Sequence, residues 1–194
     1  MSTFAFVGDI HGKLEPLKTL VADITGRTDH IVFLGDYVNR GPQSREVLDF
    51  LIQLQGADTT SCSFIAGNHD TALLHAVEHG RIDAFLRMGG AATLRSYPKS
   101  HQSTDLVGRI PGSHVEFLRG LRPSIEGPGF VAAHDRSKNE IPAGKFGIFG
   151  HSPRPGLAPE VTNEYALIDT GCGTLPGGQL TAFFWPDRTW VQAS

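Results

Sequence analysis

Residues 4–12 read FAFVGDIHG, an apolar run that ends abruptly in a glycine, an aspartate and a histidine. The pattern predicts a short buried strand followed by a tight polar loop. Two further segments have the same form, IVFLGDYVNRG at 31–41 and FIAGNHD at 64–70. One Gly-Asp pair is typical of any turn, but three strands that each end this way form a far more specific pattern.

Amphipathic helices are predicted between these strands, over 13–24 and 44–55, because apolar residues recur there at helical spacing. The order strand, helix, strand, helix, strand predicts parallel strands in an α/β fold. The last third is predicted to be rich in strands, and the whole chain, 1–194, to be a single domain. The other predicted elements are helices over 71–79, 81–88 and 113–121, the last opened by a capping box at Ser113, and strands over 129–133, 146–149, 166–168, 180–185 and 189–192.

The composition excludes several classes of protein. Hydrophobic residues make up 40% and charged residues only 19% of the 194, which argues against disorder. The net charge of -3 argues against a broad basic surface for a nucleic-acid polymer. Two cysteines are too few for a disulfide framework, and no apolar run is long enough to span a membrane. We therefore expect a cytoplasmic protein with no membrane partner; the oligomeric state stays open.

The three loops are expected to meet, because the carboxyl ends of parallel strands lie along one edge of a sheet. This brings together Asp9, His11, Asp36, Asn68 and His69. Carboxylate, imidazole and amide donors suit divalent ions such as Mn²⁺, Fe²⁺ or Zn²⁺. The histidines without such a context are interpreted as surface residues: His30, His75, His79, His101 and His114.

Taken together, these loops resemble the phosphoprotein phosphatase family of the calcineurin-like metallophosphoesterases. That family reads GDxHG, GDxVDRG, GNH[ED], a histidine at a strand end, and GH[TS]. Here the last two are His134 in FVAAHD and His151 in FGHSP, and IDTG at 168–171 is similar to small bacterial members. The resemblance covers almost the whole chain and implies a two-sheet β-sandwich flanked by helices.

The resemblance also implies a pair of divalent ions, Mn²⁺ as first choice with Fe or Zn as alternatives. Asp36 would bridge the two. Hydrolysis would proceed by in-line attack of a metal-bridging hydroxide on a phosphate monoester, as in serine/threonine protein phosphatases. The implied ligands are Asp9, His11 and Asp36 for one ion and Asp36, Asn68, His134 and His151 for the other.

Catalytic roles are carried over in the same way. Arg40 would clamp the phosphate, and His69 would give a proton to the leaving oxygen as general acid. The resemblance thus implies a phosphatase whose substrate is a phosphorylated protein or a small phosphoester. A second phosphate-binding arginine has no evident counterpart, and Arg136, Lys138 and Lys145 are interpreted as solvated charges.

Asn39 departs from the family pattern, which places an aspartate there beside the general-acid histidine. Asn can accept a hydrogen bond but carries no charge, so His69 should be less basic. That favours substrates with good leaving groups, as in a symmetrical bis(5'-nucleosyl)-tetraphosphatase that cleaves a phosphoanhydride, and this is the alternative function. A non-catalytic scaffold is a third hypothesis; it should have lost ligands, and every ligand position is filled.

Overall fold

A computed structural model of the protein describes residues 2–57, 60–98 and 107–194. Within them, ten strands form two five-stranded sheets, in the orders β10-β9-β1-β2-β3 and β4-β5-β6-β8-β7. The strands, numbered in chain order, are β1 Phe4–Val7, β2 His30–Phe33, β3 Ser61–Phe64, β4 Ser124–Gly127, β5 Phe130–Ala133, β6 Phe146–Phe149, β7 Glu160–Val161, β8 Tyr165–Leu167, β9 Leu180–Trp185 and β10 Thr189–Ala193. The α-helices are α1 Leu14–Ile24, α2 Ser44–Gln55, α3 Asn68–His79, α4 Ile82–Arg87, α5 Gly90–Ser96 and α6 Gly112–Arg119.

Each sheet contains three parallel strands. In the first sheet β1 pairs with β2, and β2 with β3, so the predicted strand–helix–strand order is confirmed. In the second sheet β5 pairs with β6, and β6 with β8, again in parallel. Antiparallel strands complete each sheet, including the hairpin that the predicted strands β9 and β10 form. Six parallel strands therefore direct their carboxyl ends to one side of the molecule.

The core follows the alternation of side chains along each strand. Ala5 and Val7 of β1 pack with the α-helices, whereas Phe6 packs between the sheets against Phe130 and Phe183. Each described α-helix contributes at least one side chain to the cluster that covers the outer face of the first sheet. The predicted two-sheet sandwich flanked by helices is confirmed, and this rigid frame fixes the loops at the strand ends.

Some element boundaries differ from the predictions. Helix α3 begins at Asn68 rather than 71, because the Asp70 carboxylate accepts the Gly67 N–H at 3.0 Å and caps the earlier turn. The capping box at Ser113 is wrong: Pro111 is the N-cap, and its carbonyl accepts the first helical N–H groups. Helix α5 and the short strands β4 and β7 were not among the predicted elements.

His114 is buried, not on the surface as predicted. It is only 1% exposed and lies between the Tyr97 hydroxyl, 2.8 Å from Nδ1, and the Asp49 carboxylate, 2.9 Å from Nε2. These partners come from α2 and from the end of α5, so the histidine ties three helices together. The prediction for His101 falls outside the described residues.

None of the helices within the described ranges is long and apolar enough to cross a membrane. The assignment of 1–194 to a single domain stays a prediction.

Candidate metal centre

The sequence-predicted site residues come together at the carboxyl ends of five parallel strands. Those from the first sheet follow β1, β2 and β3; those from the second follow β5 and β6. Asn68 and His151 are partly exposed and Arg40 is exposed, whereas the others are buried. The buried residues are Asp9, His11, Asp36, Asn39, His69 and His134.

Two groups of potential metal ligands share one residue. His11, Asp36 and His69 form the first group, with ligand atoms within 4.8 Å of one another. Asp36, His134 and His151 form the second group at the same spacing. Asp36 Oδ2 lies 3.6 Å from His11 Nε2, and its Oδ1 lies 3.4 Å from His134 Nε2. The Asp36 carboxylate therefore has one oxygen directed to each group, an arrangement that suits a bridging ligand.

Hydrogen bonds at the back of two rings determine which nitrogen is free. His11 Nδ1 donates to the Val38 carbonyl at 3.0 Å, and His134 Nδ1 donates to the Leu34 carbonyl at 3.0 Å. Because a carbonyl can only accept, each Nδ1 carries a proton, and the neutral ring then has a lone pair on Nε2. Both Nε2 atoms point into the cluster, where they can bind a cation.

His151 presents its other nitrogen. Its Nδ1 lies 2.9 Å from Asn68 Oδ1 and 3.1 Å from His134 Nε2, while its Nε2 faces the Asp135 carboxylate at 3.7 Å. A carboxylate behind the ring favours a proton on Nε2 and leaves Nδ1 free, the usual arrangement behind a metal-bound histidine. Asn68 Oδ1, His134 Nε2 and His151 Nδ1 thus converge on one point.

His69 belongs to the first group by distance but not by protonation. Asn39 Nδ2 lies 2.8 Å from His69 Nδ1 and 3.3 Å from the Met88 carbonyl, and Thr93 donates its hydroxyl proton to Asn39 Oδ1 at 2.8 Å. The Met88 carbonyl can only accept, so the amide NH₂ faces it and also donates to His69. His69 Nδ1 is then an acceptor, Nε2 carries the proton, and Nε2 cannot bind a metal in that state.

The expectation that Asn39 accepts a hydrogen bond from His69 is therefore wrong. Thr93 already occupies the amide oxygen of Asn39, and the main-chain N–H of Asn39 donates to the Thr93 hydroxyl at 2.8 Å. Thr93 lies on α5, a helix absent from the sequence prediction, so this reversal could not be foreseen. Burial also lowers the pKa of His69, and the ring is a neutral proton donor toward the cluster.

Asp9 occupies the edge of the first group. Its Oδ1 accepts the His151 N–H at 3.0 Å, but its buried Oδ2 has no hydrogen-bond partner among the described residues and lies 3.9 Å from His11 Nε2. Burial, followed by the charges of Asp169 and Asp36, raises the pKa of Asp9 well above its usual value. A buried carboxylate oxygen without a partner is costly, and a cation at this position would satisfy it.

The pKa shifts of Asp36 and His134 are also consistent with a cation site. Burial alone would lower the pKa of His134, but the charge of Asp9 and the hydrogen bond to Asp36 raise it to about 10. Burial alone would raise the pKa of Asp36, yet the bond from His134 holds it below its usual range. Without metal, a proton is thus retained among these groups. Their donor set fits divalent ions, which would take the proton's place.

The backbone around the centre is strained in a way that brings the ligands close. Five non-glycine residues here have positive φ, a region that L-residues rarely adopt. Gly67 and Gly150 allow the closest approaches, because a Cβ on Gly67 would collide with Asp36 Oδ1 and one on Gly150 with Asp9 Oδ1. The strained residues are His11, Asp36, Asn39, Arg40 and His151.

Asp70 holds two of the loops together, a role that sequence reasoning missed. It is fully buried, and its carboxylate accepts the main-chain N–H groups of Asp36 at 2.7 Å, Tyr37 at 3.0 Å and Gly67 at 3.0 Å. The loop after β2 is therefore fixed to the start of α3. The acidic residue that ends the GNHD segment was the available signal, but its partners lie about thirty residues away.

The cations near the centre differ in their availability. Arg40 is exposed, and within the described part of the chain it forms no ion pair. Arg136 stacks on the Tyr165 ring at 4.2 Å, Lys138 pairs with Asp135 at 3.3 Å, and Lys145 pairs with Glu126 at 2.7 Å. Of these four cations, Arg40 is thus the one without an ion-pair or aromatic partner among the described residues.

A cleft of about 440 Å³ opens beside the centre and is lined by Asn68, His134, Asp135 and Lys138. Another cleft, of about 570 Å³, lies at the opposite end of the strands beside Phe146 and Trp185. The larger cleft contains none of the clustered ligands. We therefore place the functional site at the smaller cleft, where the buried histidines and carboxylates converge.

Comparison with known proteins is consistent with this geometry. The family profile for calcineurin-like phosphoesterases matches residues 2–177. The "Bis(5'-nucleosyl)-tetraphosphatase, symmetrical" of Pseudomonas entomophila strain L48 is 36% identical over 129 residues, which make up 62% of this chain and 41% of that protein. The chain spans about two fifths or less of the length of such curated relatives.

Solved structures share the fold at lower sequence identity. A protein provisionally named a diadenosine tetraphosphatase has a TM-score of 0.69 at 22% identity, with 99% of this chain and 93% of that chain covered. A cold-active protein-tyrosine phosphatase from a psychrophilic Shewanella has a TM-score of 0.60 at 16% identity, with 100% and 81% covered. At such identities the likeness shows the fold alone.

Proposed function

The chain belongs to the calcineurin-like phosphoesterase family of metal-binding hydrolases, and from this premise we propose that it hydrolyses the central phosphoanhydride of a dinucleoside tetraphosphate. Water would add across the middle P–O–P link, and two nucleoside diphosphates would leave. The curated relatives named as symmetrical tetraphosphatases support this substrate. The phosphate monoesterase activity predicted first from the sequence has less support. Observing it as the preferred activity would overturn the proposal.

The observation that carries the proposal is the bond from Asn39 to His69. A donor on Nδ1 keeps the ring neutral, with a single proton on Nε2, 3.8 Å from Asp36 Oδ2. A neutral imidazole is a weaker source of protons than the cation that a carboxylate would stabilise. Its hydrogen bond suffices for a phosphate leaving group, which departs as an anion because its second pKa is about 6. It is not enough for an alkoxide, comparable to hydroxide at about 15.7, which needs a full proton.

In this proposal the chain's own residues position the reacting groups. Divalent ions held by the two groups would polarise the phosphoryl oxygens and activate a water for attack. His69 would donate a hydrogen bond from its Nε2–H to the departing oxygen and keep its proton, because that oxygen leaves as a phosphate anion. Asp36 fixes the His69 main chain by accepting its N–H at 3.0 Å. Mn²⁺ is the ion to test first, and Fe or Zn would suit the same donors.

Arg40 and the smaller cleft would hold the remaining phosphates. The exposed guanidinium can bind two phosphate oxygens at once with its planar fork. The cleft beside Asn68 and His134 is open to solvent and provides room for the half of the substrate that leaves.

Removing the Arg40 guanidinium should lower kcat/KM for every phosphate substrate. We expect Arg40→Ala to reduce kcat/KM by about 30-fold to 300-fold, for tetraphosphate and aryl phosphate alike, because a charge-assisted bidentate contact to a phosphate is lost. Arg40→Lys should recover only part of the loss. The check is kcat/KM on both substrates at matched metal content; a loss confined to one substrate would contradict this role.

Placing a carboxylate at position 39 should shift the choice of substrate. In Asn39→Asp, His69 Nδ1 must become the donor, and the ring then favours its cation. We expect hydrolysis of a phosphoserine peptide to rise about 10-fold relative to diadenosine tetraphosphate. Asn39→Ala, which removes the donor without adding a charge, is the control. Equal changes in both substrates would show that Asn39 only supports the loop.

A substrate competition tests the proposed function. The Mn²⁺-loaded protein is given diadenosine tetraphosphate, a phosphoserine peptide and a phosphotyrosine peptide in one reaction, and kcat/KM ratios are read from the product ratios. We expect a preference of at least about 10-fold for the tetraphosphate, from its better leaving group. A preference for either peptide would overturn the proposal in favour of a protein phosphatase.

A further inference from the structure

Asp169 is a buried carboxylate to which no role has been given so far. It is 1% exposed, and its Oδ1 accepts the Gly171 N–H at 3.0 Å. Its Oδ2 is buried and has no hydrogen-bond partner, and it forms no ion pair with the cations of the described segments. One N–H group does not compensate for burying a whole carboxylate, so something else must satisfy Oδ2.

The position of Asp169 relates it to the metal centre. It follows the end of β8, the sixth of the parallel strands. Ile168, the residue before it, is in close backbone contact with Gly8, since a Cβ on Gly8 would lie 2.7 Å from the Ile168 carbonyl. Asp9 directly follows Gly8 and Asp169 directly follows Ile168, so both lie on segments in contact. Each has one buried oxygen without a hydrogen-bond partner among the described residues. Such a pair of buried anions indicates a cation between or beside them.

The loop that carries Asp169 is held firmly. The Asp169 carbonyl accepts the Arg154 N–H at 2.9 Å, and the next carbonyl, of Thr170, accepts the Gln179 N–H at 3.2 Å. The Thr170 hydroxyl lies 2.6 Å from the Thr181 hydroxyl. The main chain is thus fixed on both sides, and the Gly171 N–H holds the carboxylate of Asp169 in the interior.

We propose that Asp169 is a positioning carboxylate of the cation site on the Asp9 side and raises the affinity of that site for a divalent cation. It would do so by adding negative charge and an oxygen acceptor beside the ligands Asp9, His11 and Asp36. Residues in this kind of supporting position contribute strongly to metal affinity in proteins. The inference rests on the metal centre and holds for either substrate.

Metal binding tests the inference without any substrate. The metal-free protein is titrated calorimetrically with Mn²⁺, as wild type, Asp169→Asn and the control Asp187→Asn, which removes the same charge from an exposed turn. We expect Asp169→Asn to weaken one of two Mn²⁺ sites by about 10-fold to 100-fold and the other by less than about 3-fold. The control should match wild type. Equal affinities in all three proteins would overturn the inference.

Thermal unfolding separates this role from a merely structural one. We expect metal-free Asp169→Asn to be at least as stable as metal-free wild type, and its rise in Tm with Mn²⁺ to be smaller. An equal loss of Tm with and without metal would overturn the inference. If Asp169→Asn does not fold, the same comparison is made with Asp169→Ser. A wild type that binds no Mn²⁺ would overturn the metal centre as well.

Discussion

Replacing Asp36 by asparagine is expected to lower kcat/KM on diadenosine tetraphosphate by at least about 1000-fold, or about 4 kcal/mol. Asp36 is shared by both ligand groups: Oδ1 faces His134 Nε2, and Oδ2 faces His11 Nε2. The amide keeps the shape and can still accept the His69 N–H, but it removes the negative charge and one of the two oxygen donors. Both cation sites should therefore weaken together.

Metal content measured beside activity is the check on this result. Atomic emission after gel filtration should give close to two ions per chain for wild type and clearly less for Asp36→Asn. Asp187→Asn, which removes a carboxylate from an exposed turn, serves as the control and should resemble wild type. An Asp36→Asn protein that keeps its full metal content, or its full activity, would show that Asp36 does not bridge the two groups.

Replacing His69 should have an effect that depends on the leaving group. We expect His69→Asn to lower kcat on a phosphoserine peptide by about 1000-fold, on the tetraphosphate by about 30-fold, and on p-nitrophenyl phosphate by only about 3-fold. The reason is that a proton donor matters most where the departing oxygen is most basic. His69 Nε2 is the proton-bearing atom, since Asn39 donates to Nδ1 at 2.8 Å.

The same series distinguishes a proton donor from a metal ligand. Loss of a ligand would reduce metal content and slow all three substrates equally, whereas loss of a donor leaves the metal in place. His75→Asn, at an exposed position on the same helix, is the matched control and should change none of these values. Equal losses on the three substrates would show that His69 does not donate to the leaving oxygen.

Local patterns in the sequence predicted the α/β order, the strand-rich last third and the meeting of the ligand loops, whereas the two-sheet sandwich was implied by the family resemblance. Apolar runs before glycine identify β1 and β2, and the carboxyl ends of parallel strands bring Asp9, Asp36 and Asn68 to one edge. The assignment of metal and catalytic roles to these residues stays a prediction, although their geometry supports it.

Long-range partners could not be predicted in the same way. The direction of the bond between Asn39 and His69 depends on Thr93 and Met88, which lie about fifty residues from Asn39, and the helix that carries Thr93 was not predicted. The burial of His114 likewise depends on Asp49, 65 residues away. A polar residue reads as exposed in a sequence until its partner is known.

The buried carboxylates are the second kind of feature that the sequence did not explain. Asp70 and Asp169 lie beside turn-forming glycines, where aspartate is common for local reasons. Asp169 is only 1% exposed, unlike a typical turn aspartate, and this burial raises its pKa to about 6. Only the three-dimensional packing shows that one fixes two loops and that the other has an oxygen without a partner.

The products formed from diadenosine tetraphosphate test the central claim most directly. The Mn²⁺-loaded protein is incubated with the dinucleotide, and the nucleotides are separated by anion exchange at several early times. We expect ADP as the sole product, two molecules for each substrate consumed, and none from Asp36→Asn. Formation of AMP with ATP, or no hydrolysis by a protein that cleaves a phosphoserine peptide, would contradict the claim.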